Sequence, residues 1–231
     1  MSKMNIIEEA KEAIVVENYE KATKLLKPSA EKGIAEAQFL LGYLYFTNAD
    51  VSKKESLLWL QRAAQQNHDS AYYYLAHHCE QYDFGTPIDE QHWELLRKAA
   101  ELGSVEAQRD LGCYYAVGDE GLEKDEVESR KWYTLAAETG HADAQYNLGL
   151  MWLNGEGGPK DIDKAIYWFT LSASHEYYET MSINAAEILT DIYEMGLYSS
   201  HSNVELVSYW RKRVTEIEQL PHRSHPNWLY L

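Results

Sequence analysis

Apolar residues recur along the chain at helical spacing. Ala37, Leu41 and Tyr45 lie four apart, as do Ala107, Leu111 and Tyr115, and Ala144, Leu148 and Trp152. That interval puts each trio on one face of a helix. The trios sit in segments that line up: GIAEAQFLLGYLYF from Gly33, HDSAYYYLAHHCEQ from His68, GSVEAQRDLGCYYA from Gly103 and GHADAQYNLGLMWL from Gly140. A more divergent copy, INAAEILTDIYEMG, starts at Ile183. The shared leucines Leu41, Leu75, Leu111, Leu148 and Leu189 are spaced by 34, 36, 37 and 41 residues. A second apolar block recurs between them as WLQRAAQQN, LLRKAAELG, WYTLAAETG and WFTLSASHE. Each unit therefore predicts two helices joined by short polar stretches, and a period of this length marks a repeat array.

The punctuation agrees. Gly33, Gly103 and Gly140, with Asn67 in the equivalent place, predict left-handed helix ends. The loops 118–125 and 154–161 are rich in Gly and acid, and Pro87 and Pro159 stand just before helices. Gly42, Ala76, Gly112 and Gly149 follow the shared leucine. Glycine inside a helix costs on the order of 1 kcal/mol against alanine, so these positions predict two helices in close approach. No alternating strand of useful length is present. The ends differ from the middle, as terminal repeats do. Ile6, Ala10, Ala13 and Ile14 predict an amphipathic first helix, and Val204 to Glu218 a last one with Trp210 in the tryptophan register. The expected organisation is one all-α domain over 1–220, made of about six helix pairs near 5–32, 34–66, 69–102, 104–139, 141–174 and 179–219. A Pro-containing tail, 221–231, follows.

The pattern A-x-A-Q-x-x-L-G-x-x-Y, then G-x-G, then D-x-x-K-A-x-x-W-[YF]-x-x-A-A-x-x-G resembles the Sel1-like repeat, a close relative of tetratricopeptide repeats. The best copy runs from Gly140 to Ser174, and the resemblance covers roughly residues 17–196. The segments beginning at His68 and Ile183 depart most from it. The resemblance implies a right-handed α-α superhelix with a concave groove and a scaffold or adaptor role. In the related tetratricopeptide repeats the groove is lined by the stripe of the first helix opposite its core stripe. Carried over residue by residue, that stripe is Phe39 and Tyr43, then Tyr73, His77 and Glu80, then Glu106, Arg109 and Cys113, then Asp143 and Tyr146, and last Glu187, Asp191 and Glu194. It is aromatic at its start and acidic at its end, which suits a peptide with apolar anchors and basic flanks.

Charge sharpens this picture. The formal net charge is −16, which disfavours nucleic acid and anionic membrane surfaces and attracts a basic protein. Two cysteines, Cys79 and Cys113, offer no disulfide framework. No stretch approaches the roughly 18 to 20 apolar residues of a membrane span, and the acidic N-terminus lacks a secretory pattern, so a cytoplasmic location is expected.

Candidate chemistry is sparse. His77, His78, Cys79 and Glu80 cluster, but adjacent helical residues point apart, and Cys79 falls in a core slot, so no metal is expected. Gly155, Gly157 and Gly158 lack the strand and the Lys-Ser or Lys-Thr of a phosphate loop. The acidic stretch 119–128 lacks the alternating ligands of a calcium loop. No nucleophile with its base and orienting group stands out. The expectation is a binding protein, with no enzyme activity and no cofactor. It is either a scaffold or adaptor, or, in a different class, an inhibitor such as an immunity protein that covers a basic toxin.

Overall fold

A computed structural model of the chain describes residues 6–47, 53–81, 88–119, 121–175, 180–196 and 203–220, without the side chains of 79–81 and 88–90. Pro87, the side chains of Cys79 and Glu80, and the tail 221–231 lie outside the described residues. Among the described residues the chain is all-α, as its periodicity requires, with twelve helices in consecutive pairs. They are α1 (Ile6–Val15) with α2 (Tyr19–Glu31), α3 (Ala35–Thr47) with α4 (Lys53–Ala64) and α5 (Asp69–Gln81) with α6 (Ile88–Leu102). Then follow α7 (Val105–Val117) with α8 (Glu126–Glu138), α9 (Ala142–Asn154) with α10 (Ile162–Ala173) and α11 (Thr180–Glu194) with α12 (Val204–Ile217). They form two compact units, divided inside α7: unit 1 ends at Ala107 and unit 2 runs from Gln108 to Arg223.

In unit 1 the core stripes of α1 to α5 bury Ile14, Leu26, Leu40, Leu41, Leu60 and Leu75 together. In unit 2 the last two pairs bury Phe169, Leu189, Ile192, Trp210 and Ile217. The predicted close approaches are present. A Cβ placed on Gly42 would stand 2.8 Å from Cγ of Leu60, and one on Gly112 or Gly149 would stand 2.7 Å from the ring of Tyr133 or Phe169. The bare helix surface also exposes its carbonyls to the partner helix. Ser56 Oγ donates to Gly42 O (2.8 Å) and Ser129 Oγ to Gly112 O (2.7 Å), while Nδ1 of His92 lies 3.2 Å from Ala76 O.

The junctions between pairs repeat as well. Gly33, Gly103 and Gly140 have positive φ, and Asn67 adopts φ 61° in the same role. The next residue's N–H reaches back to the last turn, as in His68 N to Ala63 O (3.3 Å) and His141 N to Ala136 O (3.2 Å). The glutamine of the A-x-A-Q motif then links successive pairs. Nε2 of Gln38 and of Gln145 donates to Ala30 O (3.0 Å) and Ala137 O (3.2 Å), and their oxygens meet Gln66 Nε2 (2.8 Å) and His175 Nε2 (3.1 Å).

Within a pair, loops of different sequence close alike. The N–H groups of Asp125, Asp161 and Asn203 donate to the carbonyls of Tyr115 (2.8 Å), Trp152 (2.9 Å) and Tyr193 (3.1 Å). The same three side chains cap α8, α10 and α12, satisfying N–H groups that the first helical turn leaves open.

Arg213 fastens the last helix. Its Nε donates to Ala173 O and its Nη2 to His175 O, both at 2.9 Å, covering the C-terminal end of α10. Arg213→Ala should therefore lower the stability of unit 2 by about 1–2 kcal/mol and quicken amide exchange across α12. Unchanged exchange there would mean that burial of Trp210 and Ile217 suffices to hold the helix.

Candidate functional site

The stripe of first-helix residues divides into surfaces of unlike character. In unit 1 its aromatic members are largely consumed by packing. Phe39 is 1% exposed and Tyr43 7%. Phe39 stacks on the His68 ring (centroids 4.5 Å, 27°), and Tyr43 meets Tyr74 edge-on at 5.2 Å. The expectation that these two line an open groove is therefore corrected. α5 lies beside α3, and its aromatic side chains fill the space between the helices that the stripe would have left to a partner. Tyr73 and His77 stay half-buried. Their rings are 4.3 Å apart, and His77 Nδ1 donates to Tyr73 O (3.0 Å).

On α7, Glu106 is half-buried and Cys113 is exposed. Arg109 pairs with the neighbouring Asp110 at 2.6 Å. On α9, Asp143 and Tyr146 are half-buried. The Tyr146 hydroxyl contacts the Asn184 side chain of α11. Burial, and to a lesser degree the nearby Glu187 carboxylate, push its pKa up.

The acidic members come together. Glu187, Asp191 and Glu194 are all exposed on one face of α11, as their spacing of three and four dictates. With Thr190 of α11 and with Arg211 and Val214 of α12 they line an open cleft of about 390 Å³. Arg211 Nη2 lies 2.8 Å from Glu194 Oε2, so three carboxylates face one guanidinium and the cleft keeps a surplus of negative charge. Reading the stripe alone misses Arg211 and Val214, because they belong to a second helix. Their signal is their position directly after, and one turn beyond, the register tryptophan Trp210.

The surroundings reinforce that sign. Residues from 108 onward hold 20 of the 37 Asp and Glu but 10 of the 21 Lys and Arg, leaving −10 of the net −16 in this part of the chain. Among the described residues no group of three His, Cys, Asp or Glu is disposed to hold a metal ion. Ser56 Oγ and His78 Nε2 approach to 3.0 Å. Both are buried, and the serine proton is committed to Gly42 O, so this pair belongs to the core. No helix of the described residues is long and apolar enough to cross a membrane.

Comparison with known proteins follows the same lines. Five consecutive segments, 13–34, 35–68, 69–104, 105–141 and 142–177, match the model of the Sel1 repeat. The Neisseria meningitidis protein NMB1327 is 32% identical over 173 residues, which covers 74% of this chain and 34% of that protein. Chitin synthase regulatory factor 3 of Schizosaccharomyces pombe is 32% identical over 158 residues, 64% of this chain and 17% of that protein. The chain thus spans well under two thirds of the length of these relatives. Among solved structures, c5321, a protective antigen of uropathogenic Escherichia coli, matches with a TM-score of 0.70 at 31% identity, covering 84% of this chain and 40% of that one. Immunity protein PA5088 of Pseudomonas aeruginosa matches with a TM-score of 0.59 over 98% and 90% of the chains, but at 18% identity it shares the fold alone. The period read from the residues, the helix pairs and the five matched segments coincide, and the chain belongs to the Sel1 repeat family.

Proposed function

We propose that this chain is a non-catalytic module that binds another protein, and that the cleft between α11 and α12 receives a basic segment of that partner. The observation that carries the reading is the shared exposure of Glu187, Asp191 and Glu194 around one cleft with a single guanidinium. A Lys- or Arg-rich segment entering it exchanges diffuse solvent charge for charge-assisted hydrogen bonds. The negative field of unit 2 speeds its encounter. Half-buried Tyr146, with Arg109 and Asp143, extends the proposed contact surface within unit 2, and Tyr73, His77 and Glu106 are the proposed contact residues of unit 1. Glu80 remains among them by its place in the repeat. A cytoplasmic location, and the absence of nucleic acid and membrane among the partners, belong to the same proposal.

Family membership supports the general role, since Sel1 repeats are helical modules for protein contact. One relative bears the name of a chitin synthase regulatory factor. A second reading, an inhibitor that neutralises a basic toxin or effector enzyme, rests on the same acidity. A lid of this charge suits the surface of an enzyme that handles nucleic acid.

The test compares tagged wild type with Glu187→Gln/Asp191→Asn/Glu194→Gln in pull-downs from the native cells at low and high salt. The three positions are exposed, so the fold stays intact. A basic protein should be retained by the wild type, weakened by salt, and bound at least tenfold less by the variant. A partner held equally by both proteins would move the contact surface elsewhere. If the partner is an enzyme and the wild type abolishes its activity, the inhibitor reading replaces the adaptor one.

A further inference from the structure

We propose that Glu36 is a clasp that couples the first helix pair to the entry of the third, so that unit 1 does not fray from its N-terminal end one pair at a time. In helical repeat arrays each repeat normally leans on its immediate neighbours. Here one carboxylate of the second pair holds both of its neighbours at once. Oε1 of Glu36, on α3, lies 3.0 Å from Nζ of Lys11 on α1. Oε2 lies 2.9 Å from Nε2 of His68, in the turn that opens α5. The His68 carbonyl accepts the N–H of Tyr72 (3.3 Å), so the first turn of α5 hangs on this residue. Its ring stacks on Phe39, and its Nδ1 stands 3.5 Å from Asp69 Oδ1. The imidazole is thus fixed on its face by Phe39 and at Nε2 by Glu36.

Burial makes these bonds matter. The side chains of Lys11, Glu36 and His68 are 21%, 35% and 13% exposed, so solvent and salt screen them less than a surface pair. α1 needs such help. It is a helix of 10 residues with only Ala10, Ala13 and Ile14 buried, too short to persist unsupported. The carboxylate joins a weak terminal helix to a turn two pairs along, and loosening at either end is felt at the other.

Hydrogen exchange on the full chain tests this in both directions. Lys11→Met keeps the apolar stem and removes the charge. It should speed exchange at least threefold or so in α1 and also at amides 72–75 of α5, which Lys11 does not touch. His68→Leu keeps bulk against Phe39 and should speed exchange in α1 by a similar factor. Lys24→Met, which breaks the exposed Lys24–Glu20 pair, should change neither region. If Lys11→Met affects α1 alone, or His68→Leu leaves α1 unchanged, the clasp is overturned and Glu36 merely makes two independent surface contacts.

Discussion

Gly149→Ala is expected to destabilise unit 2 by about 2–3 kcal/mol, even though alanine is the better helix former by roughly 1 kcal/mol. The new methyl would stand 2.7 Å from Cδ1 and Cε1 of Phe169 and 3.1 Å from its Cγ. Phe169 is fully buried, in contact with the cluster that holds Ala185, Leu189 and Trp210, so the ring has nowhere to retreat. The chain contains its own controls. Alanine takes the small position only at Ala76, which the register places opposite Leu96, while Gly42 faces Leu60 so closely that a Cβ would stand 2.8 Å from its Cγ. Rings at that place, Tyr133 and Phe169, face glycine. Combining Gly149→Ala with Phe169→Leu should therefore recover at least 1 kcal/mol relative to the sum of the single changes. Urea midpoints measure this directly. Strict additivity would show that the ring is not what excludes the methyl group.

That pairing of glycine with ring illustrates what the sequence discloses well. A covalent period repeats, so the leucines, the small residues after them and the turn glycines reveal two helices per unit and where they touch. Charged residues are equally legible, because solvation keeps them outside: Glu187, Asp191 and Glu194 emerge on the exposed face to which their spacing assigns them. The aromatic stripe was less legible. A helical wheel tells which direction Phe39 faces, but not how near the following first helix lies, and Tyr74 and His68 close over it. The same blindness hid Arg211 and the clasp at Glu36. Each depends on a partner some 17 to 32 residues away, at a distance fixed by packing rather than by period. The motif glutamine stood in plain view, yet its two bonds, to the pair before and to the turn after, appear only when helices are placed.

Acid is expected to weaken unit 1 by about 2–3 kcal/mol between pH 6.5 and pH 4, chiefly through His78. This side chain is 1% exposed. Ser56 gives its proton to Gly42 O, so His78 Nε2–H donates to Ser56 Oγ, and the ring meets Phe46 edge-on at 4.8 Å. Burial first, and then the like charge of Lys53, hold its pKa down to about 4, from an ordinary value of 6.5. The unfolded chain thus binds this proton more readily than the folded one. Stability from the neutral imidazole is complete above pH 6.5 and is lost as pH falls through that window. Glu36 acts in a different range. Burial raises its carboxyl pKa, but the bonds from His68 and Lys11 outweigh that and leave it below the usual 4.5. Its share is full above about pH 4.5 and disappears only at lower pH. Denaturant unfolding of wild type and His78→Gln at pH 7, 5.5 and 4.5 separates the two groups. The glutamine amide can still donate to Ser56 but does not titrate, so any advantage of the wild type at pH 7 should shrink steadily as the solution is acidified. Parallel curves for the two proteins would assign the acid sensitivity to other groups and leave His78 a silent member of the core.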